Sequence, residues 1–494
     1  MQMLATCLQL AHIDSQAQES VPSLVLMEQA ALRLWFECKQ RIPSLTKQSK
    51  LVFLCGNGNN GGDALAVARS ASSEMYCDVS VIIVEGRRSA QNQQQLEALS
   101  RFPVKIIKSF EASGVLEKAQ ILFDGLCGTG IKDILQGEFG NLVRMASNNK
   151  QAFKVAIDVP SGLGDGFSCL GGPVFPADLT ITMGLEKRLF YHPLFTRYTG
   201  QIVVINPCFP PSLLIQHPSG TERMDYSEVT VGKLATDAYK KTRGSVAVFA
   251  GSLEYSGAAR LACRSVFASR AGLVSLFVDD EYYPSASTES PSVMVKKLSE
   301  GYTLSLFSAI LAGPGWGGGR LPLLADLLSS GKPMVLDADA IACFAQLWKD
   351  KGRVEHGPLV LTPHLGELET LSKSVLGQDI IHSSSDDFYE GLTLLSRKLD
   401  ACIVCKSAVN HIAEDGRVMV LSHANPSLAV AGSGDVLSGI IVSFLAYGLG
   451  CSESAIAGCA VHQRAGDMAR NALGYFDSTQ LLRYVGRAIV EMER

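Results

Sequence analysis

Short apolar runs alternate with longer stretches of helical period along most of the chain. In the first half the runs are Leu51 to Cys55, Val79 to Val84, Val104 to Ile107, Ile121 to Phe123, Val155 to Ile157, Leu179 to Thr182 and Ile202 to Ile205. Ahead of them, Leu24, Met27, Ala31 and Leu34 recur at helical spacing, so an amphipathic helix is expected over Leu24 to Cys38. Strands that alternate with helices imply βαβ units and a largely parallel sheet. Strands buried on both faces read as unbroken apolar runs, as these do. The rhythm stops between Asn206 and Glu222, where Pro207, Pro210, Pro211 and Pro218 remove backbone donors and no helical period survives. It resumes with Val246 to Ala250, Leu273 to Val278, Ile310 to Ala312, Met334 to Leu336, Leu359 to Leu361 and Ile403 to Lys406, and a long apolar helix starts at Asp435. The expectation is an α/β protein of two domains, residues 1–215 and 222–494.

Composition narrows the class without changing this picture. The 494 residues are 47% hydrophobic and 19% charged, which suits globular cores and excludes disorder. With 44 basic and 48 acidic residues, the chain carries no electrostatic footprint for nucleic acid. No apolar stretch approaches the roughly 18 residues of a membrane span. The N-terminus lacks the basic and small-residue marks of a signal peptide. Together with 13 cysteines, an odd number, this predicts reduced thiols and a cytoplasmic location. Cys402 and Cys405 have CxxC spacing, but no second pair accompanies them, and they read as packing in a strand.

Chemistry concentrates at strand ends. The first strand runs into Gly56-Asn57-Gly58-Asn59-Asn60-Gly61-Gly62-Asp63 and then a helix. Glycines in that setting let a backbone approach a phosphate at a helix N-terminus, and Glu85 ends the next strand where a ribose-binding acid would stand. Two later strands end in Asp124-Gly125-Leu126-Cys127-Gly128-Thr129-Gly130-Ile131 and Asp158-Val159-Pro160-Ser161-Gly162. In a parallel sheet these ends share one rim, so Asn60, Asp124, Asp158 and Ser161 come near one another. Their oxygen donors suit a hard cation rather than zinc.

In the second half, Ala431-Gly432-Ser433-Gly434-Asp435 opens the apolar helix. Exposed amides and the helix dipole there favour a transferring phosphoryl group, and Asp435 is placed to take a proton from a substrate hydroxyl. Gly251-Ser252, Gly313-Pro314-Gly315-Trp316-Gly317, Asp337-Ala338-Asp339 and Thr362-Pro363-His364-Leu365-Gly366-Glu367 follow other strands of this half. His364, in a proline- and glycine-flanked turn, is a candidate donor to a phosphate or amide.

GNGNNGGD, DGLCGTGI and DVPSG, with VPSLVLMEQAA upstream, resemble the NAD(P)H-hydrate epimerases over about residues 20 to 210. The second-half segments, with NPSLAVAGSGDVLSG, resemble the NAD(P)H-hydrate dehydratases of the ribokinase-like fold over about residues 225 to 490. The resemblance implies a Rossmann-like three-layer domain followed by a ribokinase-like one. It implies potassium on Asn60, Asp124 and Ser161. It implies a hydrate site lined by Asn59, Asn60, Gly61, Gly62, Asp63, Gly128, Thr129, Gly130, Ile131 and Asp158. In the dehydratase half, Ala258, Gly315, His364 and Asp435 would contact the hydrated dinucleotide. Lys406, Ser407, Ala408, Val409, Asn410 and Gly434 would contact the adenine nucleotide. The chain departs from the family pattern at Ala64, Ser407 and Asn410, and around Lys240 to Gly244.

The implied activity is repair of hydrated NADH and NADPH. The first half would interconvert the R and S epimers, and the second would dehydrate the S form after phosphorylation of its hydroxyl. The fused arrangement is similar to bacterial members, which implies ADP as donor and leaves ATP open, with Mg2+ accompanying the nucleotide. Asp158 is expected to handle a proton or to position the hydroxyl. Self-association is expected, as the fold family often shows it. An alternative is a vitamin or sugar-alcohol kinase of the same fold with a non-catalytic N-terminal nucleotide-binding module. An NAD dehydrogenase, argued from the glycine loop alone, leaves the second half unexplained.

Overall fold

The computed structural model describes every residue except 77, 216–219, 289–290 and 423–424, so Pro218 of the proline-rich stretch lies outside the described residues. The chain forms two compact units. One comprises Met3–Thr221 with His382–Phe388; the other comprises Met1–Gln2, Glu222–Ile381 and Tyr389–Arg494. Residues His382–Phe388, which the linear reading groups with the second half, pack inside the first unit. There the Asp386 amide donates to the Asp165 carbonyl at 3.0 Å, its carboxylate pairs with Arg188, and Phe388 meets His192 edge-on.

The first unit is built on a seven-stranded sheet whose strands all run parallel. Across the sheet they lie in the order Lys105–Lys108, Asp78–Ile83, Lys50–Cys55, Ile121–Gly125, Phe153–Ile157, Leu179–Met183, Gln201–Ile205. Alternate residues of each strand enter different cores, because side chains of a strand point to opposite faces. Leu51, Phe53 and Phe123 pack with Leu34 and Trp35 of the helix Ser23–Arg41. Val52, Leu54 and Leu122 pack with Leu142 and Val143 of the helix Gly137–Asn148. Two separate cores on one sheet make three layers. The strand order reverses direction between Lys50–Cys55 and Ile121–Gly125, and ligands of such sheets bind at that switch point.

The second unit repeats the logic with a different order. Beyond the edge strands Gln2–Met3 and Thr221–Asp225, its sheet runs in the order Arg417–Ser422, Asn410–Glu414, Cys402–Cys405, Leu359–Leu361, Met334–Leu336, Ala309–Ala312, Ser245–Phe249, Leu273–Val278, Met294–Lys297. All pairings from Cys402–Cys405 onward are parallel. The strands Asn410–Glu414 and Arg417–Ser422 are antiparallel additions, a hairpin that the apolar-run pattern does not single out. Here the order reverses between Ser245–Phe249 and Ala309–Ala312. The helix Ser433–Tyr447 is apolar nearly all round and buried along its length, as a helix must be when it crosses a core. Gly439 lets it approach the helix Ser256–Ala268, since a Cβ there would stand 2.6 Å from the Ala262 carbonyl oxygen. Cys402 and Cys405 are buried, free thiols in their strand. Among the described residues, no helix is long and apolar enough to cross a membrane.

Candidate active sites

The glycine loop of the first unit follows the central strand at the switch point. A Cβ on Gly56 would stand 1.9 Å from the Leu126 carbonyl oxygen, so only glycine allows this turn to cross the neighbouring strand end. The buried Asn92 amide donates to the Gly56 and Gly58 carbonyls at 2.9 and 2.8 Å and fixes the loop. Beside it opens a cavity of about 540 Å³, lined by Asn59, Asn60, Asp63, Gly128, Thr129, Gly130, Ile131 and Asp158. Gly61 and Gly62 do not line it. Their missing side chains serve packing: a Cβ would meet the Gly56 carbonyl in one case and Met27 in the other. Ala64 is buried against Gly125, outside the cavity wall, so its methyl group does not crowd a ligand.

Behind the cavity floor stands the oxygen cluster. Asp124 is fully buried. Its carboxylate accepts from the Ser161 amide and hydroxyl, both at 2.7 Å, and from the Leu126 amide at 3.2 Å. Burial pushes its pKa up to about 6, against those hydrogen bonds, which pull it down. Among the described residues, both side-chain polar atoms of Asn60 are buried without a hydrogen-bond partner. Leaving an amide so is costly unless something outside the protein satisfies it. A buried carboxylate beside an amide oxygen left without a partner among the described residues is a donor set that fits a hard cation.

Two residues that the motifs did not point to complete this site. Asp14, from the helix Cys7–Gln18, lines the cavity, and burial raises its pKa. Lys187 is buried and places its Nζ 2.7 Å from Asp158 Oδ1. Its backbone is held by the N-terminal segment: Ala5 donates to the Glu186 carbonyl and Arg188 donates back to the Ala5 carbonyl. Burial pushes Asp63 well above the usual carboxyl range, and the nearby Asp158 and Asp14 push the same way.

In the second unit, loops meet at the other switch point. The Gly251 amide donates to the Pro314 carbonyl at 2.8 Å. Gly315 has φ 60°, and a Cβ on it would stand 2.9 Å from that of Ala258. These two sequence candidates are therefore neighbours. The Gly317 amide donates to Asp339 at 2.8 Å, which ties this loop to the next strand end. His364 caps the helix Leu365–Leu376: its Nδ1 accepts from the Gly366 and Glu367 amides. That use of Nδ1 leaves Nε2 as the ring's donor, 3.4 Å from Glu367 Oε1.

A second cavity, about 640 Å³, is lined by His364, Lys406, Ser407, Ala408, Asn410 and Gly434, among others. Val409 is buried and lies outside that wall. Lys406 Nζ is 2.6 Å from Asp337 Oδ1, which also accepts from the Thr362 hydroxyl at 2.9 Å. Burial alone lowers the Lys406 ammonium, yet Asp337, Glu367 and Asp435 together hold it above its ordinary value. Asp435 stands in the first turn of the helix Ser433–Tyr447, after Gly432 at φ 84°. Burial and the charge of Asp337 raise its pKa to about 7, against Lys406. At that value it is poised to take a proton at neutral pH. The Ser433 amide donates to the Val430 carbonyl at 3.2 Å, while the Gly434 and Asp435 amides that follow have no acceptor within the helix, an arrangement that favours an anion. Ser433 shares a hydrogen bond of 3.0 Å with His462, whose pKa burial lowers to about 4.

A family model described as NAD(P)H-hydrate dehydratase matches residues 246–487, and one described as YjeF-related protein N-terminus matches residues 23–189. A bifunctional NAD(P)H-hydrate repair enzyme of Thermofilum pendens is 31% identical over 510 residues, with 97% of this chain and 94% of the relative covered. The chain belongs to the bifunctional NAD(P)H-hydrate repair enzyme family. The enzyme of the same name from Moorella thermoacetica is 28% identical and covers 99% of this chain and 97% of its own. A solved ADP/ATP-dependent NAD(P)H-hydrate dehydratase from Bacillus subtilis, co-crystallised with ATP and Mg2+, is 23% identical. It covers 53% of this chain and 95% of that one, with a TM-score of 0.47. The chain thus carries both halves of the repair-enzyme family, and each half has a cavity of its own.

Proposed function

We propose that this protein repairs hydrated NADH and NADPH in two steps. Residues 1–215 epimerise the hydrate, and residues 222–494 dehydrate the S form with ADP, or ATP, as phosphoryl donor. The observation that carries the reading is Asp435: a half-buried carboxyl with a pKa of about 7, at a helix N-terminus, beside the Lys406–Asp337 pair.

Asp435 takes the proton of the substrate hydroxyl as its oxygen attacks the terminal phosphorus. The amides of Gly434 and Asp435 stabilise the transferring phosphoryl group. Hydroxide leaves poorly, whereas phosphate, once attached, is expelled by the lone pair of the ring nitrogen, and loss of a proton from the adjacent ring carbon then restores the ring double bond of NAD(P)H. Lys406, with Ser407, Ala408, Asn410 and Gly434, forms the wall on which the adenine nucleotide lies, while Ala258, Gly315 and His364 hold the hydrated dinucleotide. Magnesium bound with the nucleotide would be held by its phosphate oxygens and would neutralise their charge. In the epimerase half, Asn60, Asp124 and Ser161 would hold potassium, which supplies fixed positive charge under the hydrate site. Asn59, Asp63, Gly128, Thr129, Gly130, Ile131 and Asp158 form the wall around that site.

The test is to give the full chain hydrated NADH as mixed epimers, with ADP, ATP or neither, and follow the return of NADH absorbance. Recovery of the S form only with nucleotide, and loss of the R form faster than the uncatalysed rate, are expected. A stable phosphorylated product without NADH would identify a small-alcohol kinase instead.

A further inference from the structure

Asp158 has φ 68°, a left-handed conformation that a residue with a Cβ seldom adopts. Its amide donates to the Ile181 carbonyl at 2.8 Å, so the adjacent strand holds the backbone in that state. Strain of this kind persists where surrounding structure enforces it, and it marks functional positions. Its effect here is to aim the carboxylate. Oδ1 accepts from Lys187 Nζ at 2.7 Å, the Met183 amide at 3.2 Å and the Thr182 hydroxyl at 3.2 Å. Lys187 also donates to Thr182 Oγ1 at 2.5 Å, which closes a triangle of Lys, Thr and Asp. Among the described residues no donor reaches Oδ2. That oxygen faces Gly128 in the cavity wall, 3.6 Å from where a Cβ there would stand. The two oxygens of one carboxylate are thus given different work. Lys187, 1% exposed, spends its charge on Asp158 rather than on solvent.

We infer that Lys187 is a positioning residue for epimerisation: with Thr182 it pins Asp158 Oδ1, so that Oδ2 alone exchanges a proton with the substrate hydroxyl. The inference rests on the proposed epimerase reading. Water adds across an enamine double bond with its hydroxyl on the carbon next to nitrogen, so the hydrated ring is a hemiaminal. Oδ2 takes the hydroxyl proton, a C=O bond forms, and the C–N bond breaks. The electron pair of that bond goes to the ring nitrogen, which receives the same proton from Oδ2. Rotation of the open aldehyde turns its other face to the nitrogen. Reversal of the steps closes the ring as the other epimer. Nothing is oxidised or reduced, and the proton returns to oxygen.

The test uses the full chain and R-enriched hydrated NADH. Lys187→Met should lower epimerase kcat about 100-fold, the range of a misaligned proton acceptor, with KM changed less than about threefold. Dehydration of the S form by the same chain should be unchanged. In an Asp158→Asn background, Lys187→Met should cost nothing further, because it acts only through that carboxylate. Thr182→Val, nearly isosteric, should lower kcat roughly 10-fold and provides the reading if Lys187→Met fails to fold. Full kcat in the single variants, a rise in KM alone, or an equal loss in the Asp158→Asn background would each overturn the inference. Wild-type protein no faster than the uncatalysed reaction would overturn the epimerase reading itself, and this inference with it.

Discussion

Replacing Asp435 by Asn keeps the shape of the side chain and removes its charge. Loss of a general base lowers turnover by roughly 10²–10⁴-fold, so dehydration of the S hydrate should fall that far while epimerisation of the R hydrate continues. Stability should move the other way. The folded pKa of about 7 lies above the ordinary value of 3.8, chiefly because the carboxylate is desolvated. Folding therefore favours the protonated form and penalises the ionised one. The penalty is absent well below the unfolded pKa, grows as pH rises, and is complete above about 7. At 1.36 kcal/mol per pH unit, the full penalty is on the order of 4 kcal/mol. Asn carries no such penalty. Chemical denaturation of the variant without nucleotide should show a stability gain over wild type that widens by about 2–3 kcal/mol between pH 5 and pH 8. A gap that stays flat, or wild-type turnover in the variant, would refute the assignment of Asp435 as a buried base. Activity gives a third check: kcat/KM for dehydration should rise through an apparent pKa near 7, as the carboxyl loses its proton.

Three further outcomes follow from other parts of the structure. Lys406→Met strands the nearly buried Asp337 carboxylate without its cation; it should cost about 3–5 kcal/mol in a denaturation titration and abolish dehydration. Replacing potassium by sodium, or making Asp124→Asn, should slow epimerisation roughly 10–100-fold and leave dehydration intact, as measured with separated epimers. Gly56→Ala drives a methyl group to within 1.9 Å of the Leu126 carbonyl oxygen; calorimetry should show about 1–3 kcal/mol lost, with epimerase activity reduced and dehydratase activity retained.

Local signals in the sequence carried a good part of this protein. Apolar runs marked the parallel strands, because a strand covered on both faces has no polar side to interrupt it. Glycine- and aspartate-rich segments after those runs mark the rims of both sheets, and the fold places Asp124, Ser161 and Asp435 at those rims. The helix Cys7–Gln18 is not legible, since its buried residues Cys7, Leu10, Ile13 and Ala17 are few and the apolar Leu8 stands exposed on another face, which blurs the stripe. Nor was the antiparallel hairpin Asn410–Ser422, which extends a sheet whose other strands give the stronger pattern. Which groups answer each other is set by long-range contacts alone. Lys187 lies 29 residues from Asp158, and Lys406 lies 69 from Asp337. No spacing rule joins them, because strand order, not chain order, sets which loop ends are neighbours. The same holds for Gly61 and Gly62, whose motif suggests a ligand and whose surroundings show packing. A motif names the residues that can do chemistry; burial and the fold determine which of their atoms remain free to do it.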